Sequence, residues 1–198
     1  MSAFSPEELS LLRSLVPEGR LMVLRVDADE IAVRKLDQAE YSALKEASAT
    51  NPDWQALALK RAVVGYAGTA PAGAAQLVRA LLEEDPQLGD VLGAQIVAAA
   101  GHGAQVSAAL GEGRKVTLQV RLSLPGPVWT VEGTRPGEGQ WSDIRRAIAK
   151  GGADAGALRC FELCVPAPPD LALYPALPTV IGSHLMSTTR RRAGDPSL

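Results

Sequence analysis

Residues 31–47 read IAVRKLDQAEYSALKEA, and residues 129–149 read WTVEGTRPGEGQWSDIRRAIA. Each stretch passes from a strand-like run into an amphipathic helix. In the first, Asp37 stands at a helix start with Glu40 three positions on, and Tyr41, Leu44 and Ser48 fall on one face. In the second, Trp141, Ile144 and Ile148 share a face. A fold read from these two stretches is one unit written twice.

The flanks agree. Upstream of the first lie RLMVLRV and the acidic link DADE, which with IAVRKL read as a hairpin. VTLQVRLSL, PGP and VWTVEG read as a second hairpin. Downstream, NPDWQALALKRAVVGY reads as a helix begun by Asn51-Pro52 or Asp53, apolar nearly all round and so buried. DAGALRCFELCVPAP follows in the same place in the second copy. Val33 is matched with Val131, Leu59 with Leu158 and Lys60 with Arg159, a shift of roughly a hundred residues, which is the scale of a small domain. Ala74, Leu77, Val78, Leu81 and Leu82, then Leu88, Val91, Leu92, Gln95, Ile96 and Ala99, give two further amphipathic helices to the first copy. PDLALYPALPTVIGSHLM closes the second, its helical spacing weakened by Pro175 and Pro178.

The expected organisation is therefore α+β and helix-rich, with two related units, each a β-hairpin packed with two to three helices. Residues 1–18 form an N-terminal helical segment in which Ser5, Pro6 and Glu8 make a helix start. Residues 19–100 form the first unit, 101–115 a glycine-rich connector, 116–187 the second unit and 188–198 a basic tail.

The totals narrow the function. The chain has 198 residues, 46% of them apolar and only 4% aromatic, so its core is built from Leu, Val, Ile and Ala. A net charge of −2 argues against a dedicated nucleic-acid binder. The first residues lack a basic segment followed by a long apolar run, so no signal peptide is expected. Apolar runs are interrupted too early for a membrane span.

Cys160 and Cys164 are the only cysteines. Thiols four apart on a strand are separated by ~13 Å, and a helix disfavours a disulfide at that spacing. A structural zinc site wants four ligands, and only His102 and His184 remain, both distant in sequence. The first copy carries Arg61 and Gly65 near the cysteine positions, so the unit does not require thiols there. Two small core residues is the favoured reading. GHGAQVSAALGEGR lacks the order of a phosphate loop, no serine sits in a GxSxG elbow, and the carboxylates are scattered. No catalytic, cofactor-binding or metal-ligating residue is assigned. Trp54, Trp129 and Trp141 are core residues first and interface anchors second. Arg190, Arg191 and Arg192 are candidates for contact with an acidic partner surface.

Arg34, Leu36, Glu40, Tyr41, Val63, Val64, Tyr66, Pro71 and Gly73, over residues 31–100, give the chain a pattern that resembles small tail-assembly and tail-associated proteins of bacteriophages. The second copy keeps the pattern faintly, with Trp141 near the aromatic place and Pro166 to Pro169 replacing the glycine-containing stretch. The resemblance implies no catalysis and no cofactor. It implies a structural or assembly role in a tail, baseplate or related injection device. It further implies protein partners from that particle or a second copy of the chain, in the virion or the bacterial host cytoplasm, while the charge and the broken apolar runs are what exclude nucleic acid and membrane as expected partners. Two other readings stand beside it: a host adaptor or regulatory binding module, and a small enzyme in which His102 or His184 meets a carboxylate in a deep pocket.

Overall fold

The computed structural model describes residues 3–124, 128–168, 171 and 173–193, the last five by backbone alone. The chain divides into two units, 1–100 and 101–198. It is an α+β protein, and each unit packs helices on its own three-stranded antiparallel sheet.

The first unit begins with α1 (Pro6–Leu15), closed by the expected capping box. The Glu8 amide donates to Ser5 Oγ at 3.2 Å, and the Ser5 amide donates to Glu8 Oε2 at 2.7 Å. β1 (Leu21–Val26) and β2 (Asp29–Arg34) form a hairpin whose link places Asp27 at φ 51°, a left-handed value that aspartate tolerates. α2 (Gln38–Ala47) starts at Asp37 with a second capping box through Glu40. α3 (Trp54–Ala62) runs directly into β3 (Val63–Tyr66), which pairs with β2. α4 (Pro71–Glu84) and α5 (Pro86–Ala99) complete the unit. Ile31, Val33, Leu36, Leu44, Leu59, Leu92 and Ile96 are buried in its core. α1 lies over the other face of the sheet, where Gly65 makes room: a Cβ there would come within 2.9 Å of both Leu12 methyl groups.

The second unit holds β4 (Gln105–Leu110), β5 (Lys115–Arg121) and β6 (Val128–Thr134), in that spatial order. Val116, Leu118, Val120 and Val131 face the helices. Polar pairs cross the opposite face, with Gln119 Nε2 donating to Thr130 Oγ1 at 2.9 Å and Thr117 Oγ1 to Glu132 Oε2 at 3.0 Å. α6 (Glu138–Cys164) is broken at Gly151-Gly152, where Gly152 has φ 77°, so it behaves as two arms. α7 (Leu177–Ala193) packs against it.

The two units match over one hairpin and the helix crossings that follow it. The Lys35 amide donates to the Arg20 carbonyl at 2.7 Å, and the Arg135 amide donates to the Arg114 carbonyl at 2.7 Å, which aligns the hairpins β1–β2 and β5–β6. Asp37, Glu40, Tyr41 and Leu44 then correspond to Gly137, Gln140, Trp141 and Ile144. Ala58, Leu59 and Ala62, all buried, correspond to the buried Cys160, Phe161 and Cys164. The closing helices repeat one crossing: Gly93 of α5 presses on the Gln55 carbonyl, as Gly182 of α7 presses on that of Ala157.

Several expectations need correction. Residues 101–115 are not a connector, since they contain β4. VVGY ends its helix and forms β3, because Val63 and Val64 suit a strand and β2 offers a free edge. Each unit thus has three strands rather than two. The matches Val33–Val131, Leu59–Leu158 and Lys60–Arg159 are out of register: Ile31 lies over Val131, and Leu158 is 40% exposed where Leu59 is fully buried. The backbone from 188 to 193 continues α7 rather than forming a tail. Leu77 and Val91 are 40% and 56% exposed, so each lies outside the core its helix joins. The PGP link and Pro169 lie outside the described residues.

Candidate functional site

In each unit a polar cluster lies where the hairpin hands over to its helix. Arg34, at the end of β2, grips Glu40: Nη1 donates to Oε2 at 2.5 Å and Nη2 donates to Oε1. Nη2 also reaches the Arg61 carbonyl, 3.3 Å away near the end of α3. Glu40 Oε2 further accepts from the Asp37 amide at 3.1 Å. The hydrogen bonds from Arg34 hold the Glu40 carboxyl below its ordinary range, and the same bonds raise Arg34 further. Both groups are therefore charged at neutral pH. The cluster joins sheet to helix.

The second unit solves the same problem without charge pairing. Gln140 Oε1 accepts from the Gly137 amide at 2.9 Å and from Arg114 Nη1 at 3.1 Å. Its Nε2 donates to the Leu163 carbonyl at 2.8 Å. Leu163 occupies the place of Arg61, so one helix-terminal carbonyl is satisfied by different chemistry in the two units. Nearby, Arg135 is 9% exposed; Nη2 donates to the Gly113 carbonyl, and Nε has no hydrogen-bond partner among the described residues. The sequence carried no signal for a buried arginine at that place.

The residues that carry the resemblance to tail-associated proteins mostly hold the unit together. Leu36 is fully buried, Tyr41 nearly so, and Tyr66 Oη donates to Asp29 Oδ2 at 2.8 Å. Pro71 opens α4, and Gly73 lies close to the Thr69 methyl, 3.1 Å from where its own Cβ would be.

Cys160 and Cys164 are free thiols, fully buried, at the places held by Ala58 and Ala62 in the first unit. The hydrogen bond to Cys164, together with burial, pushes the Cys160 thiol up. The same hydrogen bond lowers the Cys164 thiol, and both groups are closed off from solvent. Among the described residues no three histidine, cysteine or acidic side chains gather as a metal site. His102 lies in the turn before β4 and His184 on α7; each makes an interaction within the protein.

Trp129 and Trp141 are half-buried against the core of the second unit, and Trp129 meets Tyr174 edge-on with ring centroids 4.9 Å apart. Trp54 is half-buried in the first turn of α3. Arg190, Arg191 and Arg192 lie on the backbone of α7, with side chains outside the described residues. Exposed apolar side chains lie elsewhere: Leu11 and Leu15 on α1, Val23 on β1, Leu110 on β4 and Val128 on β6. A concavity of about 490 Å³ along α4 is lined by Ala72, Ala75, Gln76, Arg79, Ala80 and Glu83, and no histidine or cysteine is among them. Among the described residues no helix is long and apolar enough to cross a membrane. Compared with family models, curated proteins and solved structures, the chain matches none.

Proposed function

We propose that this chain is a non-enzymatic assembly protein that works through protein–protein contacts, and that its setting is a phage tail, baseplate or related injection device. The observation that carries the reading is the duplicated unit. Each copy closes a core of its own and still presents large apolar side chains outside it, such as Leu11, Leu15 and Val91 in the first and Leu110 and Val128 in the second. Two contact surfaces on one polypeptide raise the effective concentration of the second contact once the first is made. That suits a particle in which identical partners repeat. The phage setting comes from the resemblance over residues 31–100 and is the narrower part of the proposal.

The test is purification of the chain from its native source under mild cross-linking, with identification of what co-migrates. Stoichiometric recovery with structural components of a particle supports the reading. Recovery as a free monomer, or turnover of a small molecule that requires His102 or His184, overturns it.

A further inference from the structure

The hairpins β1–β2 and β5–β6 correspond, yet their third strands lie on opposite sides. β3 pairs with β2, whereas β4 pairs with β5, the counterpart of β1. The first unit therefore leaves open the edge that the second unit fills. The hydrogen-bonding phase makes this specific. The bond from the Lys35 amide to the Arg20 carbonyl sets Arg20, Met22, Leu24 and Val26 to bond across to β2, so the backbone groups of Leu21, Val23 and Arg25 point outward. Their counterparts Lys115, Thr117 and Gln119 point to β4, as the bond of 3.0 Å from the Gly111 amide to the Lys115 carbonyl records. Among the described residues no strand pairs with the outer edge of β1.

This edge also lacks the usual guards. LMVLRV has no proline and no lysine, its pairing with β2 has no bulge, and its one charge, Arg25, turns to Glu30 on the neighbouring strand at 3.1 Å. A matching position on the closing helix is also less covered. Leu177 of α7, fully buried, lies close against Gly101 in the segment that leads into β4. Its counterpart on α5, Leu88, is only half-buried.

We infer that β1 is a docking edge for an extended segment of a partner protein, which adds antiparallel to it as β4 adds to β5. The occupant is about six residues long, with small apolar side chains toward the helices and polar ones away, because QVSAAL is what this edge carries in the second unit. The register follows from β4: Ser107 would stand opposite Arg25, and Ala109 opposite Val23. The inference rests on the chain being a binding protein and names the chemistry of one partner.

The probe is a synthetic peptide, AQVSAALG, copied from residues 104–111 and added to the full chain, with amide exchange followed by NMR. At millimolar peptide, exchange at Leu21, Val23 and Arg25 should slow by at least ~10-fold. Val23→Pro removes an outward N–H and leaves the ladder to β2 intact, so it should fold and lose the protection. A second control leaves the protein unchanged. Methylation of the peptide nitrogens matching Ser107 and Ala109 should abolish the effect, and methylation at those matching Val106 and Ala108 should not. No protection at the three amides, protection indifferent to the site of methylation, or changes confined to β5 would overturn the inference. If these fail while particle components still co-purify, the edge is wrong and the assembly reading stands; if both fail, both fall.

Discussion

In each unit the closing helix crosses its neighbour at a glycine, and alanine there tests the duplication directly. In Gly93→Ala the new methyl falls on the Gln55 carbonyl oxygen, and in Gly182→Ala on that of Ala157. A carbon facing a carbonyl oxygen needs about 3.3 Å. α5 must then retreat from α3, and α7 from the second arm of α6, by more than ~1 Å. Overpacking of this kind costs about 1–3 kcal/mol, and the obstacle is backbone rather than a side chain that can turn aside, so the upper end applies. The helix regains about 1 kcal/mol from the better propensity of alanine. The net expectation is a loss of about 2 kcal/mol for either variant. Gly139→Ala is the control: it lies in the first turn of α6, where a new Cβ would have nothing within 4 Å, so only the propensity gain remains. Urea unfolding should show lower midpoints for the first two and a raised midpoint for the third. If Gly93→Ala and Gly182→Ala behave like Gly139→Ala, the helices do not cross as described and the units do not share that joint.

Glu40→Gln keeps the cap in the form Gln140 uses and discards the pairing with Arg34, so a loss of about 1–2 kcal/mol is expected at pH 7. The folded carboxyl titrates below its ordinary value, so its stabilisation is full above the unfolded pKa and is lost as pH falls through the folded one. Unfolding curves of parent and variant should therefore converge in acid and separate toward neutrality. Cys160→Ala and Cys164→Ala should each cost about 1 kcal/mol, with zinc content unchanged. In the native protein both thiols should resist Ellman's reagent and react only on unfolding, since both are buried. Truncation after Ser187 keeps Leu185 and Met186 in the core, so cooperative unfolding should persist. Weaker capture of particle components would then assign binding to the segment holding Arg190, Arg191 and Arg192.

What the sequence disclosed was governed by spacing over a few residues. Ser5 with Glu8, and Asp37 with Glu40, announce helix starts because a cap and its reciprocal acceptor must lie three apart. The hairpin strands announced themselves by β-branched content. β4 stayed hidden because glycines flank it and its inward side chains, Val106 and Ala108, are too small to make alternation plain. β3 stayed hidden because no glycine or proline separates it from α3, so an apolar helix and an apolar strand read as one run. The pairing of the copies slipped by two positions in the strands, which a period of two forgives. It slipped further in the helices, where Leu158 consequently landed on the wrong face.

The asymmetry between the sheets was written in the sequence all the same. Beyond α3 the chain continues VVGY, whose amides and carbonyls can pair with β2. Beyond α6 it continues Val165-Pro166-Ala167-Pro168, and two of those four residues have no N–H to donate. The second unit has no described strand beside β6, and its third strand comes instead from the chain before β5. In the first unit the segment before the hairpin is α1, which lies on the far face of the sheet over Gly65, and among the described residues no strand stands on the outer edge of β1. One ancestral-looking plan thus yields one edge filled from within and one left to be filled from without. Val23→Pro and the peptides methylated at the nitrogens matching Ser107 and Ala109 bear on that second edge because they remove only hydrogen bonds made there and leave both cores as they are.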